Sequence, residues 1–416
     1  MNDLLVKNVR AIEEGKPFNV TCANGRIEEL GSSDSPATQV IDADGMVIVP
    51  PFVETHIHLD TALTFGKIEN HSGTLLEGIQ LWNEYQQSMT EEDVIDRAKK
   101  VIYEMASKGV LHFRVMVDVS SPELTGLKAL VKVKEEVSNI AELQLIAFPQ
   151  NGLMSSERGV DLLKQAFSYG VDGVSAVPHL EHTREKGLES LNLCFELAEQ
   201  HQTFVHIFCD ETDDPDSKFI ETVASLAIDT GLHDRVTVSH ANAMNYYQEA
   251  YVSKLLNTIA QSKMNVVTCP LINSVMQGKQ APYPKGRGIT RVKDLHAKGI
   301  NVACAHDDFM SPFYPLGNGS MLTAVHMLLH LAHMTGTKDF QVGLNMITYH
   351  AAKVLGLKKY GLNTGDHANF LLFEATNTHD LIRRGVSPRY VIRNGQLLAE
   401  TVPEKTKMFH ERYCST

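Results

Sequence analysis

The sequence predicts an α/β protein: a (β/α)8 TIM-like barrel over residues 50–365, with a small β-sandwich domain built from both chain ends, residues 1–49 and 366–416. Three observations predict it. Eight apolar, β-rich runs alternate with segments of helical period along the middle of the chain. Short strands punctuated by turns occur at both ends. Histidine and carboxylate residues stand at the ends of several apolar runs, where such barrels carry their chemistry.

The N-terminal unit holds Leu4–Val9, Phe18–Cys22, an Asn24-Gly25 turn, Arg26–Leu30, and Val40–Ala43 ahead of Asp44-Gly45. A similar pattern returns as Ala368–Phe373, Tyr390–Arg393, Asn394-Gly395 and Gln396–Ala399. Neither end has enough strands to bury a core alone, so the two are expected to share one sheet-rich domain. Between them the strand-like runs are Phe52–His58, His112–Asp118, Leu143–Phe148, Gly173–Val177, Phe204–Phe208, Val236–His240, Asn265–Thr268 and Asn301–His306. Pro122–Val137, Gly159–Tyr169, Ser190–His201 and Asp216–Thr230 carry apolar residues at three- and four-residue intervals and read as helices. Parallel strands joined by helices close into a barrel with its working face at the C-terminal strand ends.

A chain of 416 residues accommodates such a barrel plus a satellite domain, and 43% apolar with 21% charged residues is a globular composition. The net charge of -12, with no Lys/Arg run, opposes phosphate backbones and anionic headgroups. No nucleic acid and no membrane partner is expected. The longest apolar stretches, such as Gly45–Val53, fall far short of the roughly 20 residues of a membrane helix. Met1-Asn2-Asp3 opens no basic, apolar secretory signal, so a cytoplasmic location is expected. The six cysteines form no C-x-x-C pair and read as reduced thiols, mostly packing. Composition leaves homo-oligomerisation open.

Read at their last residues, the runs give His56-Ile57-His58 on the first, Phe148-Pro149-Gln150 on the third, and His206 to Glu211 on and after the fifth. The sixth ends in Ser239-His240 and the eighth in His306-Asp307-Asp308. Residues two apart on a strand share a face, so His56 and His58 can aim at one ion. A lone histidine here is as readily a hydrogen-bonded core residue as a ligand. Histidine, aspartate and glutamate from four strand ends are another matter: together they supply a ligand shell and an acid/base group, the requirements of metal-assisted hydrolysis. Cys209 has no oriented histidine base and reads as packing. The run Asp213-Asp214-Pro215-Asp216 reads as a helix cap. Val171–Pro178 holds no lysine, so a carboxylated lysine bridging two ions is not expected, and a single divalent ion is.

These motifs, with Leu59-Asp60-Thr61 and Ser72-Gly73-Thr74-Leu75-Leu76-Glu77-Gly78, resemble the bacterial cytosine deaminases of the amidohydrolase superfamily, from the N-terminal unit to about residue 400. The resemblance implies metal-dependent hydrolytic deamination of a small-molecule amino-heterocycle, cytosine first among the candidates, with release of ammonia. It implies His56, His58 and Asp307 as ligands of one Fe2+ or Zn2+ ion, with Asp307 also shuttling a proton. His240 would orient the attacking water and Glu211 would serve as general acid/base. Gln150 would hydrogen-bond the pyrimidine edge, with Phe148 beside it in the substrate pocket and Asp308 and Phe313 lining the ring.

One position departs from the family. Its strand-five metal histidine, three residues before the glutamate, is Phe208 here, and the nearest histidine is His206, about 6 to 7 Å deeper along an undistorted strand. Either the strand bulges and His206 reaches the ion as a ligand, or a ligand is lost and His206 belongs to the core. Two other readings follow: a ring-opening cyclic amidohydrolase sharing the barrel, and a catalytically impaired ligand-binding relative, to which Phe208 opens the way. Retention of Glu211, His240 and Asp307 favours the enzyme.

Overall fold

The computed structural model describes residues 2–13, 15–279, 281–407 and 409. Strand β1 (Asn2–Ala11) pairs antiparallel with β2 (Phe18–Ala23), which pairs with β3 (Arg26–Gly31). Strands β4 (Ala37–Asp42) and β5 (Val47–Val49) run parallel to β1. Strand β5 has no signature in the sequence, because its three residues are all buried and show no alternation.

The barrel strands are β6 (Phe52–Ile57), β7 (Val110–Asp118), β8 (Glu142–Phe148) and β9 (Gly173–Val174), followed by β10 (Phe204–Cys209), β11 (Val236–His240), β12 (Asn265–Thr268) and β13 (Asn301–Cys304). All pair in parallel in sequence order. Helices α1 (Leu75–Gln86) and α2 (Glu91–Ser107) follow β6, α3 (Thr125–Glu136) follows β7, and α4 (Gly159–Ala166) follows β8. Next come α5 (Arg184–His201), α6 (Phe219–Thr230) and α7 (Glu249–Ser262), then α8 (Pro270–Met276) and α9 (Val292–Ala297) after β12. Helices α10 (Met321–Leu331), α11 (Asp339–Met346) and α12 (Tyr349–Leu355) finish the barrel. Strands β14 (Phe370–Phe373), β15 (Tyr390–Arg393) and β16 (Gln396–Glu400), with α13 (Thr378–Arg384), then return to the first sheet, where β14 pairs antiparallel with β5. Both chain ends thus build one sheet, as the turn pattern predicts, around Leu4, Val6, Val20, Ile27, Phe370 and Ile392.

Local sequence explains the helices. Thr90 caps α2 by accepting from Asp93 N–H, three acidic residues occupy its first turn, and Val94, Ala98, Val101, Ile102 and Met105 form its buried stripe. Helix α5 begins at Arg184, six residues ahead of the predicted Ser190, because Thr183 caps a polar first turn that apolar periodicity does not reveal. Helix α6 corrects another expectation. Its N-terminal N–H groups of Phe219 and Ile220 donate to Asp210, at 3.0 and 2.9 Å, so the run Asp213–Asp216 is not its cap. Asp213 instead accepts from Gly278 N–H (2.6 Å) and the Tyr246 hydroxyl (3.2 Å), tying two rim loops together. The thiols of Cys22, Cys194, Cys209, Cys269 and Cys304 are free and buried; Cys414 lies outside the described residues.

Two buried ionisable side chains hold the barrel. Arg114 fills its lower interior, donating to Gln144 Oε1, Thr237 Oγ1 and Val354 O, with its guanidinium 4.5 Å above the Phe204 ring. Glu54 closes the seam. Strands β13 and β6 share no ladder among the described residues, but the Glu54 carboxyl accepts from His56 N–H at 2.9 Å and from His306 N–H at 2.8 Å. Glu54→Ala strands two buried N–H groups and is expected to cost on the order of 2–5 kcal/mol. Chemical denaturation checks this: a large drop in midpoint is expected, with a smaller one for Glu54→Gln, and an unmoved midpoint contradicts the clip.

Candidate active site

The C-terminal strand ends bring most of the expected residues to one buried point. His56 Nε2 lies 3.7 Å from Asp307 Oδ2, His58 Nε2 lies 3.9 Å from Asp307 Oδ1, and His240 Nε2 lies 4.0 Å from Asp307 Oδ2. One ligand atom each from His56, His58 and Asp307 fit within 4.8 Å of one another. His240 and Asp307 both have φ of 69°, a left-handed conformation that turns each side chain off the end of its strand.

His240 is held in one tautomer. Its Nδ1–H donates to Asn273 Oδ1 (3.2 Å), and Asn273 Nδ2–H in turn donates to Glu211 Oε1 (2.9 Å). The lone pair of His240 Nε2 therefore faces the Asp307 side. Asn273, on α8, escaped the sequence reading because it lies beyond a strand end rather than on one. Behind Gln150 a second network runs: Asp118 accepts from Gln150 N–H (3.4 Å) and Trp82 Nε1–H (2.9 Å), and donates its own N–H to Asp60 (2.9 Å). Trp82 thereby docks α1 over the site. Gly78 of the same helix is required there, because a Cβ would come within 2.7 Å of the Phe313 ring.

The cavity is lined by His58, Phe148, Gln150, Phe208, Glu211, His240, Asp307, Asp308 and Phe313, with Leu75, Val177, Leu180 and Ile272. Thr61 Oγ1 donates to Asp308 at 3.1 Å. Phe148 and Phe208 stack with ring centroids 4.2 Å apart and form an aromatic wall. A larger apolar cavity, about 410 Å³, lies elsewhere, between the terminal sheet and α11–α12, away from these groups.

Two histidines of the strand ends stand apart. His306 uses Nε2 to accept from Asn318 and Gly319 N–H, at 3.1 and 2.9 Å, and so anchors the loop after β13. Strand β10 pairs with β11 in unbroken register, so the bulge that would lift His206 to the ion is absent. His206 stays at the deeper level, its Nε2 3.3 Å from His56 Nδ1, on the ring edge opposite Asp307. The Phe208 ring occupies the upper level, 4.6 Å from the His56 ring.

The electrostatics are those of a site short of positive charge. Burial pushes the Glu211 carboxyl up to about 8, with Asp308 adding to the effect. Burial, then Asp308 and Glu211, hold Asp307 well above the usual carboxylate range. Burial drives His240 down to about 3 and His56 well below the usual imidazole range. His56 Nε2, His240 Nε2 and both Asp307 oxygens are buried without any hydrogen-bond partner. Unsatisfied imidazole and carboxylate lone pairs facing one point are a donor set that fits a divalent cation.

Comparison with known proteins places the chain in a family. A family model described as the amidohydrolase family matches residues 66–399. The chain is similar to the crystal structure of 5-methylcytosine deaminase from Klebsiella pneumoniae liganded with 5-fluorocytosine: 39% identity, TM-score 0.94, covering 97% of this chain and 99% of that one. It is also 25% identical to N-isopropylammelide isopropyl amidohydrolase of Pseudomonas sp. (strain ADP), over 96% of this chain and 97% of that protein. Pterin deaminase of Rhizobium rhizogenes is 22% identical over 93% of this chain and 89% of its own length.

The raised carboxyls set a sign. A carboxyl whose value rises on folding favours the fold at low pH and opposes it as the pH climbs through the folded value. For Glu211 that window runs from 4.5 to about 8. Metal-stripped protein is expected to lose thermal stability across this window, and added Zn2+ to restore it while releasing protons in unbuffered titration. A flat profile with no proton release contradicts this reading of the site.

Proposed function

The chain belongs to the amidohydrolase family, and from that membership we propose that it deaminates cytosine or its 5-substituted derivatives to the corresponding uracil and ammonia. It is a hydrolase of carbon–nitrogen bonds other than peptide bonds, a deaminase on the barrel of that superfamily. The observation that carries the substrate assignment is the relay His240–Asn273–Glu211 standing beside the His56, His58 and Asp307 donors, across from Gln150 and an aromatic wall.

His56, His58 and Asp307 would hold one Zn2+ or Fe2+ ion. Bound there, such a cation supplies the Lewis acidity that makes a hydroxide nucleophile available near neutral pH. Glu211 takes the proton of the attacking water and delivers it to the ring nitrogen next to the amino-bearing carbon. His240 accepts a hydrogen bond at Nε2 and so orients that water. Asp307 passes a proton to the departing amino group. Gln150 offers a donor and an acceptor to the carbonyl and N–H edge of a pyrimidine, while Asp308 and Phe313 enclose the ring. His206, at its deeper level, holds the far nitrogen of His56 and so positions that ring.

A panel assay for ammonia tests the assignment, with cytosine and 5-methylcytosine expected to outpace pterins and triazines. Ring opening without ammonia, or preference for a bicyclic substrate, overturns it. Glu211→Gln is expected to keep the fold and lower kcat by about 10² to 10⁴, and near-normal turnover contradicts its role. Gln150→Leu is expected to erode discrimination among pyrimidines more than a methyl-sized change does.

A further inference from the structure

Phe208 leaves the site one donor short of the four that the family resemblance implies, since a phenyl ring offers no lone pair. Its ring centroid lies 4.6 Å from that of His56 and 5.3 Å from that of His240, so the strand-five level is filled by carbon. The residue after a different strand supplies a donor near the same two imidazoles. Cys269 directly follows β12, is wholly buried, and places Sγ within 4.8 Å of one ring nitrogen each of His56 and His240. His56 belongs both to this group and to the group with His58 and Asp307. His56 Nε2 and His240 Nε2 are buried and unpartnered, so each of the two imidazoles grouped with the thiol carries a nitrogen that calls for a ligand.

We propose that Cys269 is the fourth protein ligand of the site, a strand-seven thiolate standing in for the histidine that Phe208 displaces. The proposal rests on the metal reading given above. Ligation breaks the S–H bond, releases the proton to solvent and forms a sulfur–metal bond, with no change of oxidation state. A soft sulfur donor beside two imidazoles and one carboxylate favours Zn2+ and disfavours hard cations such as Mg2+ or Mn2+. Sequence spacing gave no sign of it, because Cys269 has no cysteine partner nearby and joins its co-ligands only through barrel closure.

Cobalt substitution tests the proposal on the intact chain. Metal-stripped protein loaded with Co2+ is expected to show an intense near-ultraviolet thiolate-to-cobalt charge-transfer band. Cys269→Ser is expected to abolish the band and weaken zinc affinity at least tenfold in chelator competition, whereas Cys304→Ser, another buried thiol, keeps both. Bound cobalt without the band in the unaltered protein refutes the assignment independently of how any variant folds. Survival of the band in Cys269→Ser refutes it as well. Failure to take up cobalt at all overturns the metal reading and the assignment with it, which separates the two failures.

Discussion

The structure depends on one costly burial: carboxyls and imidazoles packed against each other with their donor atoms unsatisfied. Asp307 and His240 are 1% exposed and His56 is fully buried, so water cannot repay their desolvation. Such an arrangement persists only because the surrounding barrel over-determines it, and a cation among these groups would offset the cost. The left-handed backbone at His240 and Asp307 is part of the same design, since it turns both residues inward at the strand ends.

Each supporting feature makes sense as reinforcement of that point. Glu54 bridges the N–H groups of His56 and His306, and so fixes strand one against strand eight where two donor residues meet. His206 holds the lower edge of His56, and Asn273 fixes the proton on His240. Asp118 connects Trp82 to the backbone of Gln150, so the helix above the cavity and the glutamine that lines it are tied together. Each of these buried bonds fixes one side of a residue and leaves the atoms at the site itself free, so the networks position the site without filling it.

Much of this was legible in the sequence. Alternating strand and helix patterns gave the barrel and the shared terminal sheet, and strand-end reading placed His56, His58, His240, Asp307, Gln150 and Glu211 at one rim. What stayed hidden depends on closure in three dimensions. Glu54, Asn273 and Cys269 carry no local signal, because their partners lie on other strands or across the seam. Helix starts were misplaced where a threonine cap precedes a polar turn, as at Thr183. The depth of His206 could be stated from strand geometry, but only an unbroken register decides between ligand and support.

The central claim is that these buried donors form a single-cation site at the barrel mouth. Anomalous scattering from crystals grown with Zn2+ measures it directly. The account predicts one peak per chain, within about 2.0–2.3 Å of donor atoms from His56, His58, Asp307 and Cys269. Two peaks, or one peak that leaves Asp307 uncoordinated, would contradict it.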